Sequence, residues 1–249
     1  MVAVVVGLFG LVIGGFLDVL IHRGSICRTI VCPLSRCPAC GERIKSFNNL
    51  PVLPYLILRR RCRNCKVRIS PRYPLVEALT GKFFARAAYK FGLYLSLAWA
   101  LVLTSVLVAL AGTDLGYRPL PNAIVVPKTV VGLVLSAVVG PQGWWIYPLS
   151  AIAVAAGLFA LALAYPGGIG QGDVKMGGML GALLGPYAAL VVFLGALLGA
   201  LVGGVLMVSG AIACGSALPS GVFLALAGVC TLFLEQDVWD LYLRLVRGA

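Results

Sequence analysis

Residues 93–112 run for twenty positions without a charged side chain. A helix of about 20 apolar residues is long enough to cross the hydrocarbon core of a bilayer. Residues 144–165 and 188–208 read the same way, 2–21 is as long but contains Asp18, and 123–139 (interrupted by Pro127 and Lys128), 174–185 and 218–234 are shorter apolar runs. In lipid every backbone N–H and C=O must be satisfied by protein, so only helices and closed barrels span. Barrel strands alternate apolar and polar residues, whereas these runs are continuous. The implied fold class is an all-α polytopic membrane protein. Composition agrees: 61% of residues are hydrophobic and 11% charged, against roughly 25% charged in a soluble domain.

Charge placement orients the chain. Of 20 Lys and Arg residues, 12 lie between Arg23 and Arg72, beside a single acid, Glu42. The positive-inside rule makes that segment cytoplasmic. Its place directly after a span favours topology and anionic lipid over nucleic acid as the reason for the charge. Residues 1–21 lack a basic n-region, and the positive charge follows the apolar run, so no removable signal peptide is expected. The N-terminus is then outside. Residues 74–91 are the ambiguous stretch. Lys82, Arg86 and Lys90 recur every four residues, which stacks three cations on one helical face. If this stretch crosses, the chain has about eight transmembrane helices, and Asp114 and Asp173 share the cytoplasmic side with the basic loop. Lys128, Lys175 and Arg118, close to those acids, favour that count. Trp144, Trp145 and Tyr147 are expected to anchor a span at the interface. The tail, 235–249, is expected to form a surface helix.

The basic segment carries Cys37-Pro38-Ala39-Cys40 and Cys62-Arg63-Asn64-Cys65, two CxxC pairs separated by 21 residues. Four thiolates in two such knuckles suit a tetrahedral zinc ion. The neighbouring arginines favour thiolate over thiol, and a cytoplasmic setting disfavours disulfides. A redox dithiol is the competing reading. Lys66 follows the second pair where a knuckle turn prefers glycine. Cys27 and Cys32 lie outside the pairs as substitute ligands, and Cys214 and Cys230 are expected to pack in apolar runs. The expected division is a first helix at 1–22, a small zinc-ribbon-like cytoplasmic insertion at 23–73, and a helical membrane domain at 74–249.

The second constellation is acidic. The chain has eight Asp and Glu residues, and only Asp18, Glu77, Asp114 and Asp173 lie in or near spans. Asp173 sits in Gly168-Ile169-Gly170-Gln171-Gly172-Asp173-Val174-Lys175-Met176, between two apolar runs. A charge in hydrocarbon is unfavourable by about 3 kcal/mol on insertion scales, and glycines permit tight turns and close approach. The bland alternative is an acid capping the following helix. Two carboxylates brought together can divide acid and base roles on one water and one carbonyl. Nucleophilic triads are disfavoured, because His22 is the single histidine and sits at a span end. Gly177, Gly181 and Gly185, then Gly195, Gly199 and Gly203, form two four-residue stripes suited to close helix packing.

Taken in order, these residues resemble the bacterial type IV prepilin peptidases, membrane aspartic proteases of the GxGD type. The stretch from Gly168 to Met176 looks like the family's second catalytic motif. Asp114-Leu115-Gly116-Tyr117-Arg118-Pro119-Leu120-Pro121-Asn122 looks like the first. Ser35-Arg36-Cys37-Pro38, Asn49-Leu50-Pro51-Val52-Leu53 and Ser70-Pro71-Arg72-Tyr73-Pro74-Leu75-Val76-Glu77 resemble its cytoplasmic domain. Asp18 stands where the family commonly has Asn, and Glu77 is expected to serve a helix start. The resemblance implies catalytic Asp114 and Asp173 supported by Gly170, Gly172 and Lys175, with zinc on Cys37, Cys40, Cys62 and Cys65. It implies cleavage of a basic leader from type IV prepilins or type II secretion pseudopilins after a glycine, at the cytoplasmic face of a bacterial inner membrane. It also implies N-methylation of the new N-terminus with S-adenosylmethionine, with cofactor-binding residues unassigned.

Rival readings are other GxGD proteases, a proton- or ion-coupled transporter carrying ions on the two aspartates, and a metal-binding membrane scaffold. The four-cysteine insertion disfavours the first. The chain lacks the repeated halves common in transporters. A basic leader and a basic loop should repel, so the loop is expected to face anionic lipid. Neutralising Arg59, Arg60 and Arg61 together is therefore expected to weaken contact of the loop with anionic vesicles, read by a depth-sensitive label, while cleavage of a basic leader persists. Lost cleavage with unchanged lipid contact overturns this expectation.

Overall fold

The computed structural model describes residues 1–24, 40–41, 55, 61–68, 70–117, 122–139, 143–165, 170–211 and 219–247. Eight helices appear among them: α1 (Val2–Gly24), α2 (Arg72–Phe91), α3 (Leu95–Tyr117), α4 (Asn122–Val139), α5 (Ile146–Ala164), α6 (Gln171–Leu184), α7 (Tyr187–Val208) and α8 (Ser220–Arg247). The extended structure among the described residues is one antiparallel bridge between Arg61 and Arg68. Stretches of α1, α3, α5 and α7 are each long and apolar enough to cross a membrane, and α4 and α8 contribute shorter apolar stretches, Thr129–Val139 and Ser220–Phe233. This is an all-helical, multi-pass membrane protein. The chain divides into two compact units, Met1–Leu97 and Ala98–Ala249.

In the first unit α1 packs on α2, and glycine decides how closely. A Cβ on Gly10 would lie 2.7 Å from Phe84 Cβ, and one on Gly14 would lie 2.6 Å from Glu77 Cα. From the other side, a Cβ on Gly81 would meet the Leu11 side chain at 2.6 Å. Small residues let helix backbones approach where lipid supplies no hydrophobic drive. α2 is amphipathic: Val76, Thr80, Phe84, Ala87 and Ala88 are buried, while Lys82 and Arg86 are exposed and Lys90 is half-buried. Glu77 is not a helix-start residue as expected. No acid lies in the first turn of α2. Glu77 comes in the second turn, against Gly14 and Gly15 of α1.

The second unit is built around α6, whose neighbours are α4, α5, α7 and α8. From Met176 to Leu184 almost every residue of α6 is buried. A Cβ on Gly181 would lie 2.6 Å from Ala151 Cα and 2.7 Å from the Ser150 carbonyl oxygen, both on α5. One on Gly177 would strike Leu158, also on α5. Gly185 leaves the stripe: it is the C-cap of α6 with φ 59°, a left-handed conformation that favours glycine. On α7, Gly195 receives Leu224 of α8, and Gly199 lies against Phe223. The expected glycine stripes thus serve α5–α6 and α7–α8 packing.

The C-terminal end of α6 is held by side chains. The Ser136 hydroxyl donates to the Leu183 carbonyl at 3.0 Å, and the Trp99 indole N–H is shared between Leu183 O and Ser136 Oγ at 3.1 Å each. The last carbonyls of a helix have no intrahelical partner, and these donors supply one.

Several boundaries differ from the sequence expectation. Asp114 lies inside the last turn of α3, not in a loop, and α6 begins three residues before Val174. The tail continues α8 to Arg247 as one helix of 28 residues. Trp144 and Trp145 are exposed as interfacial anchors should be, but Tyr147 is 3% exposed and belongs to the core. Cys230 faces outward. Cys214 and the Pro119–Pro121 part of the first motif lie outside the described residues.

Gly181→Ala is expected to lower the melting temperature by an amount equivalent to about 1–3 kcal/mol, because the added methyl meets fixed backbone. Gly157→Ala, where nothing lies within 4 Å of the added carbon, should leave it unchanged or higher. A thermal shift measurement in detergent compares the two, and equal effects refute the packing argument.

Candidate active site

Asp173 owes its local setting to the start of α6. Gly170 is the N-cap, and Asp173 is the third helical residue. Its Oδ2 accepts the Gly170 N–H at 3.3 Å, the carboxylate half of a capping box. An acid here also meets the positive end of the helix dipole, so the bland capping reading holds. Gly170 itself has φ −79° and ψ 151°, a conformation any residue adopts, and a Cβ there would find Asp173 Oδ2 at a comfortable 3.6 Å. Backbone strain therefore does not demand glycine at 170, contrary to expectation. Gly172 lies in the first turn of α6, and Lys175 is exposed. Gly168 and Ile169 lie outside the described residues.

Asp114 has no such local excuse. It sits in the last turn of α3, where the dipole disfavours an acid. Its anchor is tertiary: Oδ2 accepts the Gly221 N–H at 2.7 Å. The neighbouring residue, Ser220, donates its hydroxyl to Asp173 Oδ1 at 2.6 Å. Ser220 and Gly221 are the first two residues of α8, so both half-buried carboxylates converge on one helix N-terminus, where unpaired N–H donors and the dipole favour anions. The expected pair is thus brought together, by two residues the sequence reading missed. Their one sequence signal was Pro219-Ser220-Gly221 opening an apolar run, an ordinary helix-start pattern.

The other two acids near spans lie in the first unit. Asp18 is 5% exposed, and its Oδ2 has no hydrogen-bond partner. Glu77 and Arg72 lie within its electrostatic reach. These groups belong to the α1–α2 contact.

Of the cysteines, Cys40, Cys62 and Cys65 place their sulfurs within 4.8 Å of one another. Cys27, Cys32 and Cys37 lie outside the described residues. The second knuckle is a tight turn. The Cys62 N–H donates to Val67 O at 2.8 Å and the Lys66 N–H to Cys62 O at 3.1 Å, closed by the Arg61–Arg68 bridge. Lys66 adopts φ 59°, and Gly41, just after Cys40, adopts φ 69°. The residue after each CxxC is therefore left-handed, free for glycine and costly for lysine by about 1–2 kcal/mol.

Two family descriptions match the chain: the bacterial peptidase A24 N-terminal domain over residues 8–91 and the type IV leader peptidase family over residues 101–208. A prepilin leader peptidase/N-methyltransferase of Stutzerimonas stutzeri is 30% identical over 277 residues, covering 96% of this chain and 92% of its own. The chain belongs to the type IV leader peptidase family. A Pseudomonas putida protein of the same name is 34% identical over 269 residues, 95% of this chain and 92% of its own. One from Myxococcus xanthus (strain DK1622) is 39% identical over 225 residues, 87% of this chain but 65% of the relative's length. No solved structure matches the chain.

Within this leader peptidase the first matched segment holds α2 and the cysteine cluster, and the second holds Asp114 and Asp173. Ser220 and Gly221 lie beyond it. Three converging sulfurs, with left-handed turns after Cys40 and Cys65, fit a tetrahedral thiolate-bound ion such as zinc. Elemental analysis of purified protein is expected to find about one zinc per chain. Cys62→Ser should lose it, and Lys66→Gly should retain it and melt higher. Zinc content indifferent to both Cys40→Ser and Cys62→Ser refutes the site.

Proposed function

We propose that this chain is a membrane aspartic endopeptidase that removes the basic leader of type IV prepilins or type II secretion pseudopilins. The bond cleaved follows a glycine, at the cytoplasmic face of the inner membrane. The observation that carries the reading is the convergence of Asp114 and Asp173 on Ser220 and Gly221. One carboxylate takes a proton from a water as its oxygen attacks the scissile carbonyl carbon. The other, protonated, donates to the carbonyl oxygen. On collapse of the tetrahedral intermediate the C–N bond breaks, the carboxyl that took the water proton gives it to the departing amine, and the other carboxylate recovers its proton from the former carbonyl oxygen. Such general acid–base steps contribute about 10²–10⁴-fold each. Lys175 and the Gly170–Gly172 turn support Asp173, and the cysteine cluster is a structural zinc site on Cys37, Cys40, Cys62 and Cys65. The N-terminus outside, with the cysteine segment and both aspartates inside, is the topology that the basic loop favours.

We further infer N-methylation of the new N-terminus, since the relatives carry that activity in their names. S-adenosylmethionine is the methyl donor this requires. The buried Asp18, with its unpartnered oxygen, does not fit a nucleoside-bearing donor: beside it α1 and α2 touch through Gly14 and Glu77. No residue is assigned to hold the donor.

The test uses purified protein and a peptide with a basic leader, Gly and then Phe, with cleavage and methylation read by mass. Asp114→Asn and Asp173→Asn are each expected to lower the cleavage rate by about 10²–10⁴-fold. Cleavage surviving in either variant removes that aspartate from the mechanism.

A further inference from the structure

We infer that Ser220, at the first position of α8, is a positioning residue for the peptidase reaction, and that Gly221 is its counterpart for Asp114. The inference rests on the aspartic peptidase reading above and names what holds the two acids in working register.

The anchors are unequal. Asp173 Oδ1 accepts the Ser220 hydroxyl at 2.6 Å, while its Oδ2 has the Gly170 N–H at 3.3 Å. An O–H···O bond to a carboxylate falls in the short, strong range near 2.5–2.7 Å, whereas 3.3 Å is long for N–H···O. Ser220 therefore sets the rotation of the Asp173 carboxyl, and the local cap contributes less. Asp114 Oδ2 is held at 2.7 Å by the Gly221 N–H. That contact requires a residue without a side chain. A Cβ on Gly221 would lie 2.9 Å from both Cγ and Oδ2 of Asp114, and 3.0 Å from its Cβ.

The two donors also differ in kind. A backbone N–H donates only, whereas a hydroxyl both donates and accepts. Ser220 can turn its hydroxyl and keep its bond to Asp173 while that carboxyl gains or loses a proton. Gly221 holds Asp114 by a fixed donor on a helix axis. One rigid element thus spaces both carboxylates, and only one of its contacts adapts during turnover. Misplacement of a reacting group by about 1 Å can cost 10²-fold in rate, which is why two contacts on adjacent residues matter to chemistry.

The experiment measures kcat and KM on the leader peptide for Ser220→Ala, Ser220→Thr and Gly221→Ala, beside Asp114→Asn and Asp173→Asn, with thermal melting of each. Ser220→Ala is expected to lower kcat about 10–100-fold with KM within about twofold. Ser220→Thr, which keeps the hydroxyl, restores most of the rate. Gly221→Ala lowers kcat at least as far, because the methyl displaces Asp114. If both asparagine variants are inactive but Ser220→Ala keeps wild-type kcat, the positioning role is wrong and the peptidase reading stands. A loss confined to KM, a lowered melting point that accounts for the whole effect, or no rescue by threonine equally overturns it. If the asparagine variants still cleave, the aspartic peptidase reading itself has failed.

Discussion

A helix end in an apolar medium carries backbone groups that only protein can satisfy, and α6 meets that constraint at both ends. With 14 residues it is about 21 Å long, shorter than a hydrocarbon core of about 30 Å. Near its C-terminal end the Leu183 carbonyl accepts from both Trp99 of α3 and Ser136 of α4. At its first turn, Asp173 is met by Gly170 and by Ser220 of α8. Three other helices are thereby committed to the position of one short helix. The acid proposed for chemistry is also one of its end restraints, which couples the proposed site to the fold of the second unit.

Close packing supplies the stiffness this arrangement needs. Lipid is as apolar as leucine, so helices gain little by burying large side chains against each other and more by letting backbones approach. Gly181 places α6 against the backbone of α5, and Gly195 places α7 against α8. In the first unit the same device sets α1 on α2 at Gly10, Gly14 and Gly81. There it also buries Asp18 beside Glu77. The cysteine knuckles solve a different problem. A short basic segment has little apolar surface to bury, and a thiolate-bound ion of the kind proposed above would replace the missing core. The left-handed Lys66 shows how tightly the second turn is drawn.

Much of this was legible before any coordinates. Uninterrupted apolar runs near twenty residues identify membrane helices, because no other open structure satisfies its backbone in lipid. Two CxxC pairs mark a ligand cluster by spacing alone. With few acids in the whole chain, elimination left Asp18, Glu77, Asp114 and Asp173, and the resemblance of two motifs to those of the family singled out Asp114 and Asp173. Less legible were the functions of individual residues at helix ends. Asp114 read as a loop residue, because nothing local marks an acid at a helix C-terminus as wanted there. Gly185 read as part of a packing stripe, because spacing cannot distinguish a face from a cap. Tyr147 read as an interfacial anchor, because its neighbours are tryptophans and burial is a property of the partner helix. Cys230 read as a core residue, because an apolar run looks alike on its lipid and protein faces.

The sequence by itself determined the membrane class, the helical fold and the cysteine cluster, since each follows from local composition or spacing, and it narrowed the acids near spans to four, of which motif resemblance marked Asp114 and Asp173. Tertiary structure alone decided that Ser220 and Gly221 hold those carboxylates. The partners are 47 and 107 residues apart along the chain, and the meeting depends on which helix ends are packed together. A serine and a glycine opening an apolar helix carry no mark of that role. Only when α3, α6 and α8 are brought end to end does a common helix start become the place where two acids meet.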